Sequence, residues 1–150
     1  MSFPTRCRVS DENKAIIRRY YREVWEQGEL DVVDALFAPD VKLHLPGVPE
    51  DPFGPAPVKQ LASMARTAFP GLRVTIEDLI AERDKIVATV SLHGPHEGAA
   101  PGASPRVAAA SWRRIDVFRL FRGKIVEHWS DRDDHALLQR LGVAVPRAEG

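Results

Sequence analysis

The second half of the chain limits the fold most, because it consists of strand-like segments following one another with nothing helical between them. Residues 72–82 and 85–92 read as two strands joined by a hairpin-like turn near Arg83-Asp84. A Gly/Pro/Ala segment, 93–105, leads to a long strand over 106–121, which turns at Arg122-Gly123 into another over 124–131. Helical patterns come earlier. Helices first and antiparallel strands afterwards indicate α+β architecture rather than alternating βαβ units.

The first helix is predicted from a cap at Ser10 or Asp11, with Ile16, Ile17, Tyr20, Tyr21, Val24 and Trp25 on one face and Gly28 as its stop. A short second helix carries Leu30, Val33, Leu36 and Phe37 and ends at Pro39. Val41, Leu43 and Leu45 then alternate with Lys42 and His44, as in a strand. Residues 46–57 hold five prolines and two glycines and form a loop. A helix over about 56–68 turns Val58, Leu61, Met64 and Ala65 inward before Phe69-Pro70-Gly71 breaks it, and a last short helix covers 135–141. The expected architecture is a strongly curved antiparallel sheet with N-terminal helices across its concave side, a cone with an internal pocket. It forms one domain over 1–150, with loose tails at 1–10 and 143–150.

Charge narrows the function classes. Twenty-one basic residues balance 21 acidic ones, so nothing steers the chain toward nucleic acid or an anionic membrane. The basic stretch Arg113, Arg114, Arg119, Arg122 and Lys124 is interleaved with or followed by Asp116, Glu127 and Asp131 and reads as a solvated strand surface. Cys7 is the only cysteine, the leading segment has no signal-peptide pattern, and no run is long and apolar enough for a membrane span. The chain therefore reads as cytoplasmic. His93 and His96, with Glu97 adjacent, have the spacing of a helical ligand pair, but Gly94, Pro95 and Gly98 forbid a helix. No metal is expected, and without phosphate loops, nucleophile elbows or nucleotide fingerprints, no cofactor.

Five stretches resemble the SnoaL-like polyketide cyclase family, of the nuclear-transport-factor-two-like (cystatin-like cone) fold. They are Tyr20-Tyr21-Arg22-Glu23-Val24-Trp25; Phe69-Pro70-Gly71-Leu72-Arg73; Ala81-Glu82-Arg83-Asp84-Lys85-Ile86-Val87; Gly94-Pro95-His96-Glu97-Gly98, similar to the family's Gly-Thr-His-Thr-Gly; and Gly123-Lys124-Ile125-Val126-Glu127-His128-Trp129, leading to Asp133 and Leu138-Gln139-Arg140-Leu141-Gly142. The resemblance spans about residues 13–142. It implies intramolecular aldol chemistry on a polyketide-like carbonyl substrate, with an Asp after the final-strand Trp as acid/base. Two stretches depart from the family pattern: Trp112-Arg113-Arg114 is bulkier and more basic, and the 93–105 loop is richer in Ala, Gly and Pro.

Period two places Glu127, Trp129, Asp131 and Asp133 on one face of the last strand, and His128, Ser130 and Arg132 on the other. If Trp129 faces the pocket, Asp131 or Asp133 is the candidate base, its pKa raised by apolar walls. Asp133 equally suits a helix cap before His135. His44 and His96 are candidate hydrogen-bond donors to a developing enolate, or simply structural; His93, His128 and His135 have weaker claims. Tyr21, Trp25, Phe53, Trp112, Phe118 and Trp129 are the expected pocket walls. Arg114 and Asp116 share a strand face with Trp112 and Phe118. They read first as an ordinary ion pair on a wet face, worth about 0.2–1 kcal/mol. The alternative resembles limonene-type epoxide hydrolases of the same fold, with Asp131 as second carboxylate.

The sequence thus points to a cofactor-free cyclase or isomerase using general acid/base catalysis, with a small apolar carbonyl compound as substrate. Epoxide opening and non-catalytic ligand binding are the alternatives. The strand over 106–121 has apolar residues on both faces, with Trp112, Phe118 and Leu120 on one and Ile115, Val117 and Phe121 on the other. One face can cover the pocket and the other then needs a partner, so a homodimer is expected.

Overall fold

The computed structural model describes residues 4–45, 54–94 and 110–132. Helix α1 (Pro4–Arg19) starts six or seven residues before the expected cap, so residues 4–10, expected as a loose tail, are helical. It runs on into a π-helical segment, Tyr20–Glu26, closed by the i→i−5 hydrogen bond from Gln27 N to Arg22 O at 3.0 Å. The wider turn sets Tyr20, Tyr21, Val24 and Trp25 on one side, all buried. Such inserted turns collect at functional sites in helices. Gly28 follows at φ +75°, and Arg66 of α3 (Ala56–Ala68) donates to the freed carbonyls of Trp25 and Glu26.

Helix α2 (Asp31–Leu36) is followed directly by β1 (Phe37–His44), so Phe37 and Pro39 belong to the strand. Strands β2 (Arg73–Glu82), β3 (Lys85–Gly94), β4 (Ala110–Phe121) and β5 (Lys124–Arg132) complete one sheet in the order β1-β5-β4-β3-β2. The expected wholly antiparallel sheet is corrected in one place: β1 pairs with β5 in parallel. Hairpins fix only the strands next to each other in sequence; β1 is separated from the others by α3 and docks on the free edge of β5.

Arg122 and Gly123, with φ 50° and 77°, form the two-residue turn that suits the sheet's right-handed twist. Register shifts interrupt β1/β5, β2/β3 and β4/β5, and each bends the sheet. On the inner face Ile86, Ala88, Val90 and Leu92 of β3 meet Ile17, Tyr20, Tyr21 and Val24. Val58 and Ala62 bring α3 onto the same core, whereas Met64, expected inside, is exposed. No helix among the described residues is long and apolar enough to cross a membrane. The expected last helix and the tail after it lie outside the described residues.

Candidate functional site

The inner face of β4 reads Trp112, Arg114, Asp116, Phe118 and Leu120, all buried. Two opposite charges thus sit inside an apolar row. Asp116 is 0% exposed and Arg114 6%, which overturns the expected wet-face ion pair. Charged residues occur at such depth almost only when paired. Arg114 Nε donates to Asp116 Oδ2 at 3.0 Å, and the Tyr21 hydroxyl donates to the same oxygen. Arg114 Nη2 also lies 3.0 Å from Oδ2, but out of line for a hydrogen bond.

The fourth member is His128 of β5, 2% exposed, with Nε2 3.4 Å from Asp116 Oδ1. Its ring stacks on Phe118, with centroids 4.3 Å apart. Ser130 lies opposite Asp116 in the register. Burial raises the Asp116 carboxyl, but the Arg114 charge, with His128, more than offsets this and holds it well below the usual carboxylate range. Burial, reinforced by Arg114, pushes His128 below its ordinary value despite Asp116, and so favours the neutral ring. Burial raises both tyrosines, keeping Tyr20 and Tyr21 as O–H donors.

Beside these groups is a recess of about 20 Å³ lined by Tyr20, Trp25, Arg114, His128 and Ser130, with Leu45, Val58 and Leu61 as its apolar wall. That volume admits one water-sized group. The Arg114 guanidinium lies 4.2 Å from the centre of the Trp25 ring. Trp25 Nε1, Arg114 Nη2, Asp116 Oδ1 and both His128 nitrogens are buried without a hydrogen-bond partner. Unpaired buried polar groups are rare in folded proteins, and a cluster around one recess marks a place built for a ligand or a water.

Sequence-predicted residues divide by face. Arg114, Asp116, Tyr21, Trp25 and Phe118 converge on this floor. Trp112 is inner but packs on Phe69, at 4.8 Å between centroids, rather than lining the recess. Trp129 and Asp131 are corrected: both lie on the outer face, Trp129 against Val117 and Asp131, exposed, against Ile115. His44 is also on that face, bonded to Glu127 at 2.7 Å and stacked on Trp129. Arg119 and His44 hold Glu127 below the carboxylate range against the effect of its partial burial. Asp133, His96 and Phe53 lie outside the described residues.

A bulge explains the reversal. Leu120 pairs with Ile125 but Arg119 with Glu127, so Val126 is an extra residue in β5. A slip of one residue exchanges the faces of a strand. Without the bulge, the tight turn would set Trp129 opposite Asp116; with it, His128 and Ser130 face inward. Tyr20, His128 and Ser130 are therefore the site residues that sequence reasoning underrated. The available signal was an Arg and an Asp on an otherwise apolar strand face, which asks for polar neighbours.

The model of the SnoaL-like polyketide cyclase family matches residues 15–141. This chain belongs to that family. Among solved structures, AclR from Streptomyces galilaeus, a suggested hydroxylase, is 26% identical with TM-score 0.76, covering 92% of this chain and 87% of its own. IdmH from Streptomyces antibioticus, a suggested polyketide cyclase, is 26% identical with TM-score 0.77 over 87% of this chain and 99% of its own. A suggested polyketide cyclase from Acidithiobacillus ferrooxidans is 27% identical with TM-score 0.76, over 87% and 94%. No curated protein matches the chain. The family carries the cone fold; among the described residues the polar floor of that cone is Tyr21, Arg114, Asp116 and His128.

Proposed function

We propose that the chain is a cofactor-independent cyclase or isomerase that moves protons on a small polyketide-like carbonyl substrate. The observation that carries this reading is His128, buried at the recess with Nε2 3.4 Å from Asp116, which does not itself line it; burial favours its neutral ring. With Asp116 as acceptor the ring keeps its proton on Nε2, which leaves the Nδ1 lone pair as base. Nδ1 removes an α-proton, the enolate attacks a carbonyl of the same molecule, and the imidazolium returns the proton to the new alkoxide. Asp116 stabilises the imidazolium in between, as a fixed charge in a site of low dielectric. Asp116 is too weak a base for the abstraction itself, because Arg114 secures its charge. The apolar wall of Leu45, Val58 and Leu61 suits an apolar substrate body.

The epoxide-opening trio loses its second carboxylate, since Asp131 faces away from Arg114 and Asp116. Turnover of a polycarbonyl substrate, followed by product analysis, tests the assignment. His128→Ala should lower it roughly 10²–10⁴-fold, the usual worth of a positioned base. Full turnover in His128→Ala, with loss in Asp133→Asn, returns the role to Asp133. Retention in both removes His128 and Asp133 alike as the base, and no turnover in the unmodified chain leaves a pocket that only binds.

The homodimer belongs to the same proposal. On the outer face Ile80, Ile115 and Phe121 are about half exposed or more, at 58%, 49% and 60%, and Ile80 continues through Val87 and Val117 to Trp129 as a cross-strand row. A second copy covering this face would bury that row.

A further inference from the structure

Trp25 Nε1 and Arg114 Nη2 can only donate, both are buried without a hydrogen-bond partner of good geometry although Nη2 lies 3.0 Å from Asp116 Oδ2 and both residues also act on the Tyr20 hydroxyl, and both belong to residues lining the same recess. Asp116, the one anion nearby among the described residues, does not line it; its Oδ2 already accepts from Arg114 Nε and Tyr21, while Oδ1 faces His128 Nε2 at 3.4 Å. The recess is the size of one oxygen-bearing group, and Leu45, Val58 and Leu61 form its apolar wall. We infer that the recess is an oxyanion subsite, in which Trp25 Nε1 and Arg114 Nη2 bind one ionised oxygen of a planar enol or phenol. This deepens the proton-transfer reading and rests on it for the substrate class, not for the binding itself. The enolate that leaves its proton on His128 would place its oxygen here, and charge-assisted donors would favour it over the neutral carbonyl.

The positions of the two donors are built in. Arg66 holds the Trp25 and Glu26 carbonyls from α3, and the Arg114 guanidinium is pinned by Asp116 on one side and the Trp25 ring on the other. Trp25 is thus a candidate positioning and binding residue, fixed by the π-helical turn.

The test uses 4-nitrophenol, whose ionised form absorbs visible light, titrated into the whole protein at pH values either side of its ionisation. The ionised form should bind preferentially and saturably, shifting the phenol's ionisation to lower pH on the protein. 4-Nitroanisole, of similar shape without the acidic proton, should bind more weakly. Trp25→Phe keeps the aromatic bulk but not the N–H; it should melt cooperatively and weaken phenolate binding roughly 10- to 100-fold, the worth of one charge-assisted bond. Its affinity for 4-nitroanisole should not move. His128→Ala should lose turnover whatever its phenolate affinity, while a folded Trp25→Phe should lose phenolate affinity, so loss of the base and loss of the subsite give separate signatures. Three results overturn the subsite: no saturable phenolate binding, equal affinity for phenolate and nitroanisole, or unchanged phenolate affinity in a folded Trp25→Phe.

Discussion

Asp116→Asn removes one charge from the centre of the molecule while keeping size and an acceptor for Tyr21. If the pair lay on a wet strand face, the loss would be below about 1 kcal/mol. The structure requires more. Arg114, 6% exposed, would be left ionised with no counter-charge, since Asp116 is the only carboxylate within ion-pair reach of it among the described residues. Breaking a buried pair from one side costs roughly 3–5 kcal/mol. For a chain of this size each kcal/mol lowers Tm by about 2–4 °C, so the fall should be roughly 6–20 °C. Calorimetry and urea unfolding at neutral pH measure it. The double variant Asp116→Asn/Arg114→Met should recover much of the loss, because an apolar side chain of similar length suits the site without a charge. A single-variant loss under 1 kcal/mol, or a double variant no better than the single one, would refute the buried-pair reasoning.

Acid should destabilise the fold in two steps. As pH falls through the ordinary histidine range near 6.5, the unfolded chain takes up a proton on His128 that the folded chain resists, so stability declines from there. Below about pH 4 the same sign applies to Asp116, ionised in the fold but protonated when unfolded. Urea midpoints against pH should show both limbs, and His128→Asn should lose the first. Gly28→Ala should cost about 1–3 kcal/mol: φ is +75°, and the new Cβ would stand 2.5 Å from Arg66 Nε. Thermal melts check it, and an unchanged Tm would show that Arg66 moves aside freely. Ile115→Glu on the outer face should convert the proposed dimer to monomer in sedimentation, with the core site and its binding intact; a persistent dimer would place the interface elsewhere.

Fold class and most element positions were legible because they rest on local patterns. The inward Val58, Leu61 and Ala65 of α3, though not Met64, and the alternation of Val41, Leu43 and Leu45 with Lys42 and His44 are nearest-neighbour facts. The parallel β1–β5 pair was not legible, since nothing local ties residues 37–44 to 125–129. The site suffered from a single residue. Val126 has no sequence mark of a bulge, yet it decides whether Trp129 or His128 meets Asp116. Likewise, a solvated arginine and a buried one look alike in the sequence; Arg113 is exposed and Arg114 buried, and only strand parity separates them.

The placement of the polar groups argues against a purely structural role. A fold optimised for stability alone would carry apolar side chains at positions 114, 116 and 128, since buried ion pairs seldom repay their desolvation. Here three such positions cluster and five side-chain atoms at or beside them lack hydrogen-bond partners, while the neighbouring helix departs from regular geometry to bring two tyrosines and Trp25 to the same place. Each departure costs stability by itself; together they aim unpaired donors and a neutral imidazole at one recess. Local rules fail together where a site is being held, and here they fail between the π-helical turn and the centre of β4 and β5.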